Sequence, residues 1–112
     1  HIAFSPVTID GVPDAPVVGL GPMAVAPDQQ RRGIGGRLIA EGLSLLRPAV
    51  DAVVVVGHPE YYPRFGFGPA DAFGLRCEYD VPREVFMAQE LRPGGLRDAS
   101  GLVRYHPAFA GS

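Results

Sequence analysis

The chain has 112 residues, 46% of them hydrophobic, and a formal net charge of −2. This length suits one domain, residues 1–112, with enough apolar side chains for a core. The weak negative charge excludes a basic field that would attract nucleic acid or an anionic membrane, and no apolar stretch is long enough to span a bilayer. The single cysteine, Cys77, is interpreted as a core thiol and suits a reducing compartment. We therefore expect a soluble, cytoplasmic protein.

Two strands joined by a turn are predicted near the start of the chain. Apolar runs at residues 1–8 and 17–25 predict two strands. Residues 10–14 between them (Asp-Gly-Val-Pro-Asp) are predicted to form the turn of a hairpin. Pro22 lies within the second run and cannot donate to a strand ladder, so it predicts an edge or a bulge there.

Residues 23–38 run from a strand through a glycine-rich loop into an amphipathic helix that begins near Gly33 and ends at Pro48. The first N–H groups of a helix have no intrahelical partner, and glycines let a pyrophosphate approach the backbone, so this junction predicts a phosphate site. The alternative is an ordinary glycine-rich turn whose Arg31 and Arg32 are merely solvated.

Two other phosphate-binding motifs fail at this loop. The Walker A loop needs Gly-Lys-Ser/Thr, whereas Gly35 is followed by Gly36 and Arg37. The Rossmann pattern needs a third small residue where this chain has Leu38.

An unbroken β-branched run at residues 52–56 is typical of a strand buried on both faces, and it follows the helix as in a βαβ unit. Residues 61–65 fit a short helix. Short strands are predicted for residues 75–79, 86–91 and 102–105, although residues 83–91 also fit a helix.

Two motifs carry a family resemblance. The order Gln-x-x-Gly-x-Gly, at Gln30, Gly33 and Gly35, resembles the acetyl-coenzyme A loop of the GNAT superfamily of N-acetyltransferases, and Tyr62 to Phe67 is similar to its Tyr-x-x-x-Gly-Phe motif. With residues 57–62 and the tail after Pro82, the chain looks closest to the bacterial YhbS-type branch. The resemblance implies an α/β (α+β) fold with a mixed GNAT-like sheet and a central βαβ unit.

The resemblance implies transfer of an acetyl group from acetyl-CoA to a primary amine of a small molecule or peptide. Tyr62 would be the general acid that protonates the departing thiolate, although it could instead be a packed core aromatic. Backbone groups of Met23 and Val25 would bind the pantetheine. The remaining cofactor-binding residues would hold the pyrophosphate and the ribose phosphate: Gln30, Arg31, Arg32, Gly33, Ile34, Gly35 and Gly36.

The general base is not identified by the sequence. His58 and Glu60 follow the buried strand, but a structural role in the turn is favoured for both. The three histidines lack metal-ligand spacing, so no metal is expected. Two alternatives to an active enzyme stay open, namely a coenzyme A-binding module without transferase activity and a structural or interaction domain.

The chain begins at a position that looks like the middle of the family's third strand. The resemblance therefore implies that a first strand, two helices and a second strand precede it, or that the protein is a reduced relative. Residues 2–7 are expected to pair with residues 17–25 and to leave their other edge open, where a homodimer or strand exchange would cover it.

Overall fold

The computed structural model describes residues 4–12, 14–20, 34–97 and 99–105. Their regular elements are β1 (Phe4–Ile9), β2 (Val17–Leu20), α1 (Ile34–Leu46), β3 (Ala52–Val56), β4 (Gly68–Pro69), β5 (Leu75–Cys77), β6 (Phe86–Glu90) and β7 (Gly101–Tyr105). Short 3₁₀ segments lie at Tyr62–Phe65, Ala70–Phe73 and Arg83–Val85. The strands form one mixed seven-stranded sheet in the spatial order β4-β6-β3-β2-β1-β7-β5, and the helix α1 lies between β2 and β3 in the chain.

The predicted hairpin and βαβ unit are both present. β1 pairs antiparallel with β2, with Phe4 opposite Leu20. β2 then pairs in parallel with β3, from Val17 opposite Ala52 to Leu20 opposite Val55. On its other side β3 pairs antiparallel with β6, which makes the sheet mixed as expected.

Strand β3 is buried on both faces, as its β-branched run predicts. Residues 52–55 are fully buried, and successive side chains point to opposite faces. Val53 and Val55 belong to the cluster that contains Ile39 of α1, whereas Val54 belongs to the cluster on the other face. The core therefore has two layers that meet at this strand.

Several predicted elements differ in extent or kind. The strand expected at residues 75–79 ends at Cys77, which is half-buried on the edge strand β5, and burial raises the pKa of its thiol. The helix considered for residues 83–91 is not formed, because the chain makes a 3₁₀ turn after Pro82 and then the extended strand β6, whose backbone pairs with β3. Pro22 lies outside the described residues.

The prediction of an open edge beside β1 is wrong. The second half of β1 pairs antiparallel with β7, with Val7 opposite Tyr105 and Ile9 opposite Val103. Gly101 allows this approach, because a Cβ there would lie 2.6 Å from the carbonyl oxygen of Asp10. The homodimer was expected because an open edge at these residues would need a partner strand. β7 of the same chain occupies that edge, so this reason no longer applies.

Candidate functional site

The carboxyl ends of β2 and β3 define one edge of the sheet, here called the carboxyl edge. Helix α1 connects these two parallel strands, and its last turn lies at the opposite, amino edge, where the Arg47 guanidinium donates to the carbonyl oxygen of Leu91 at 3.0 Å. Leu91 directly follows β6, whose end pairs with the start of β3. The first turn of α1 therefore points toward the carboxyl edge.

Three of the predicted cofactor-binding residues, Ile34, Gly35 and Gly36, form the start of α1. Their backbone N–H groups belong to the first helical turn, which has no intrahelical acceptors and carries the positive end of the helix dipole. The first turn contains no acidic residue that would oppose an anion. The other six lie outside the described residues, and their roles stay predictions: Met23, Val25, Gln30, Arg31, Arg32 and Gly33.

Tyr62 lies at the same edge, six residues after the end of β3. It begins the 3₁₀ segment Tyr62–Phe65 and is only 2% exposed. The carbonyl oxygen of His58 accepts hydrogen bonds from the backbone N–H groups of Tyr61 and Tyr62, at 3.1 and 3.3 Å. The turn after β3 thus folds the Tyr62 ring back onto the end of the strand.

Gly57 makes room for the Tyr62 ring. A Cβ at this glycine would lie 2.3 Å from the ring carbon Cε2 of Tyr62, so no side chain fits there without displacing the ring. Gly57 also donates its N–H to the carbonyl oxygen of Val85 at 2.9 Å, which fixes its backbone. No role was predicted for Gly57, whose only signal in the sequence is a glycine at the end of a buried strand.

The tyrosine is held in an aromatic cluster. Its ring makes edge-to-face contacts with the rings of Tyr61 and Phe67, with centroids 5.1 and 5.9 Å apart. Tyr61 makes the same kind of contact with Phe65, with centroids 5.2 Å apart. Such geometry suits the ring quadrupoles. Tyr61 and Tyr62 share a buried cluster with Ile39 of α1, and α1 contacts the 3₁₀ segment. Helix α1 and the tyrosine therefore belong to one packed unit.

Burial controls the ionisation of both tyrosines. It raises the pKa of the Tyr62 hydroxyl, and the neighbouring Tyr61 raises it further. Burial also raises the pKa of Tyr61, although the Arg64 guanidinium, 5.9 Å above its ring, acts in the opposite direction. Both hydroxyls stay protonated in the neutral range, so Tyr62 has a proton to donate. The Tyr61 hydroxyl oxygen is buried and has no hydrogen-bond partner among the residues that the structure describes.

The two residues considered as a base have exposed side chains. His58 and Glu60 lie in the turn that joins β3 to the 3₁₀ segment, and it is the backbone carbonyl of His58 that organises this turn.

Among the described residues there is no group of three or more His, Cys, Asp or Glu side chains that could hold a metal ion. No helix in the described ranges is long and apolar enough to cross a membrane.

Sequence and structure comparisons agree on the relatives of this chain. It is 37% identical over 110 residues to the Escherichia coli K12 protein named "Uncharacterized N-acetyltransferase YhbS", covering 97% of this chain and 65% of that protein. The crystal structure of E. coli YhbS, a GNAT family N-acetyltransferase in complex with CoA, superposes with a TM-score of 0.86 over 97% of this chain and 61% of that one. The chain belongs to the GNAT family.

Two further relatives extend the comparison. A GNAT family acetyltransferase from Brucella melitensis, solved with acetyl-CoA, is 38% identical and superposes with a TM-score of 0.68, covering 97% of this chain and 59% of that one. E. coli "Uncharacterized N-acetyltransferase YjhQ" is 44% identical over 87 residues, which are 75% of this chain and 48% of that protein. No protein-family model matches the chain. The chain spans about two thirds or less of the length of each of these relatives.

Proposed function

We propose that this protein transfers the acetyl group of acetyl-CoA to a primary amine of a small molecule or peptide. The observation that carries the proposal is that α1, whose first turn points toward the carboxyl edge, packs against the 3₁₀ segment that holds the buried, protonated Tyr62. It is supported by the relatives solved with CoA and acetyl-CoA. The names of the curated relatives favour a transferase over an inactive binding module.

The start of α1 suits the pyrophosphate of the co-substrate. The backbone N–H groups of Ile34, Gly35 and Gly36 would donate to phosphate oxygens, and the two glycines bring no side chain between backbone and ligand. In this proposal Gln30, Arg31, Arg32 and Gly33 extend the cradle along the preceding loop. Backbone groups of Met23 and Val25 would orient the pantetheine.

The chemistry requires one proton at the leaving group. The amine nitrogen attacks the thioester carbonyl carbon, and a new C–N bond forms as the C–S bond breaks. Tyr62 would donate its hydroxyl proton to the departing sulfur, while the attacking nitrogen loses a proton to solvent or to a base. General acid catalysis of this kind contributes about 10²–10⁴-fold to the rate, and positioning of the two reactants contributes the rest.

Calorimetric titration of the full-length protein with acetyl-CoA tests the binding step. The variant Gly35→Leu places a bulky side chain in the first turn of α1 and is expected to abolish binding. Ala40→Leu, on the exposed face of the same helix, is the matched control and is expected to bind normally. An unchanged affinity in Gly35→Leu would refute the assignment of the helix start.

Release of free CoA in the presence of a panel of primary amines, measured with a thiol reagent, tests the transfer step. Turnover with at least one amine is expected. Tight binding of acetyl-CoA without turnover across small-molecule and peptide amines would point instead to a binding module without transferase activity.

A further inference from the structure

A cavity of about 410 Å³ lies at the amino edge of the sheet, the end opposite the proposed acetyl-CoA site. Its volume falls in the range of small-molecule pockets, about 300–1,000 Å³. The cavity is formed where the chain enters β2 and β3 and where it leaves β6. Its lining includes Val12, Asp14, Ala15, Asp51, Arg92 and Ala99.

The wall of this cavity is built by backbone hydrogen bonds. The N–H of Asp51 donates to the carbonyl oxygen of Pro16 at 2.7 Å, and its own carbonyl oxygen accepts from Leu91 and Arg92 at 2.7 and 3.1 Å. Gly95 keeps the wall free of a side chain, because a Cβ there would lie 2.8 Å from the Asp51 carbonyl oxygen. The cavity is therefore preformed by the ends of three neighbouring strands.

The charges around the cavity favour a cation. Arg92 and Asp51 form a bidentate pair, with Nε to Oδ1 at 2.9 Å and Nη2 to Oδ2 at 2.7 Å, so the guanidinium is already neutralised. Asp14 is exposed at the rim and makes no hydrogen bond or ion pair with the described part of the chain. Two charged residues stand just outside the lining. Glu90 lies near Arg92. Arg97, of opposite charge, lies beside Gly94, where an added Cβ would be 3.2 Å from its Nη2 atom. The lining residues themselves, with Asp51 and Arg92 paired, keep the negative charge of Asp14.

We propose that this cavity binds a small primary alkylammonium cation. The ammonium group is held by the carboxylate of Asp14, and the alkyl chain lies against the apolar wall formed by Val12, Ala15 and Ala99. An anionic ligand is disfavoured, because it would have to compete with Asp51 for Arg92. The site lies at the other end of the sheet from Tyr62 and does not depend on the proposed acetyl transfer.

The test is a titration of the full-length, ¹⁵N-labelled protein with n-butylammonium chloride at constant ionic strength, followed by NMR. Saturable shifts are expected at the backbone amides of Gly11, Gly94 and Gly95, and not with n-butanol, which has the same alkyl chain without the charge. Asp14→Asn is expected to weaken binding about fivefold, a modest factor because the carboxylate is exposed. Asp80→Asn, which removes an exposed carboxylate elsewhere, is expected to bind like the unaltered protein.

A second variant tests the cavity rather than the charge. Ala15→Leu fills the space from the wall and is expected to abolish the saturable shifts, while the fold, checked by the amide spectrum, is retained. The proposal is overturned if n-butylammonium causes no saturable shift, if butyrate binds more tightly than n-butylammonium, or if Asp14→Asn binds as tightly as Asp80→Asn.

Discussion

The two edges of the parallel pair β2 and β3 are built by opposite means. At the carboxyl edge, Tyr61 and Tyr62 are buried among other rings and are kept neutral. At the amino edge, the carboxylates of Asp10 and Asp51 are each paired with an arginine at the surface. At the carboxyl edge, burial keeps the tyrosine hydroxyls protonated, so that a proton can be donated. At the amino edge, the surface ion pairs connect strand ends that are distant in sequence.

The largest expected effect that tests this contrast is on catalysis. Tyr62→Phe keeps the ring packed against Gly57 but removes the hydroxyl. If the hydroxyl protonates the leaving sulfur, kcat should fall by about 10²–10⁴-fold while the affinity for acetyl-CoA changes little. Steady-state kinetics and calorimetry measure the two quantities.

Tyr61→Phe is the matched control for that experiment. It removes the neighbouring hydroxyl from the same aromatic cluster and should leave kcat within a small factor of the unaltered value. An unchanged kcat in Tyr62→Phe would contradict the role of this residue, and an equal loss in both variants would indicate a general disturbance of the cluster.

The next effect concerns stability at the carboxyl edge. Gly57→Ala puts a Cβ 2.3 Å from the Tyr62 ring carbon and should lower the free energy of unfolding by about 1–3 kcal/mol, because the ring must move out of its packed position. Chemical denaturation measures this change. Gly68→Ala is the control, since among the described residues no atom beyond its chain neighbours lies within 4 Å of a Cβ there. Equal stability of the two variants would show that the ring is not held by the backbone of Gly57.

The βαβ unit and the aromatic turn could be predicted because their signals are local. Residues 52–56 are all apolar, and Gly35 and Gly36 mark the start of the helix. The pairing of β1 with β7 could not be predicted, because it joins residues far apart in the chain, as the bond from Arg104 to Asp10 does at a separation of 94 residues. The same holds for Gly57 and for the amino-edge cavity, both of which depend on contacts that no local pattern contains.

The two edges should also differ in their response to pH. Hydrogen bonds from arginine hold the pKa of Asp10 and of Asp51 below the ordinary aspartate value of 3.8. Unfolding therefore favours protonation of these groups, and their contribution to stability is present at neutral pH and lost as the pH falls below about 3.8 toward the lower pKa of the folded state.

At the other extreme, burial raises the pKa of Tyr61 and Tyr62 above 10.0. The unfolded chain releases these protons first, so their contribution is present at neutral pH and is lost as the pH rises above about 10. Denaturation curves across the pH range measure both limbs. In Asp51→Asn, the free energy of unfolding should depend less on pH in the acid range and should be unchanged in its dependence in the alkaline range. A changed dependence in the alkaline range would contradict the independence of the two edges.

The smallest expected effect is that of the Tyr61 hydroxyl on stability. Its oxygen is buried and has no hydrogen-bond partner within residues 4–12, 14–20, 34–97 and 99–105, so these residues do not compensate its removal from water on folding. Tyr61→Phe keeps the ring contacts with Tyr62 and Phe65 and should raise the free energy of unfolding by up to about 1 kcal/mol. Thermal and chemical denaturation at neutral pH measure this gain. A clear loss of stability in Tyr61→Phe would mean that the hydroxyl makes a stabilising contact in solution, and the carboxyl edge would then be more polar than its packing indicates.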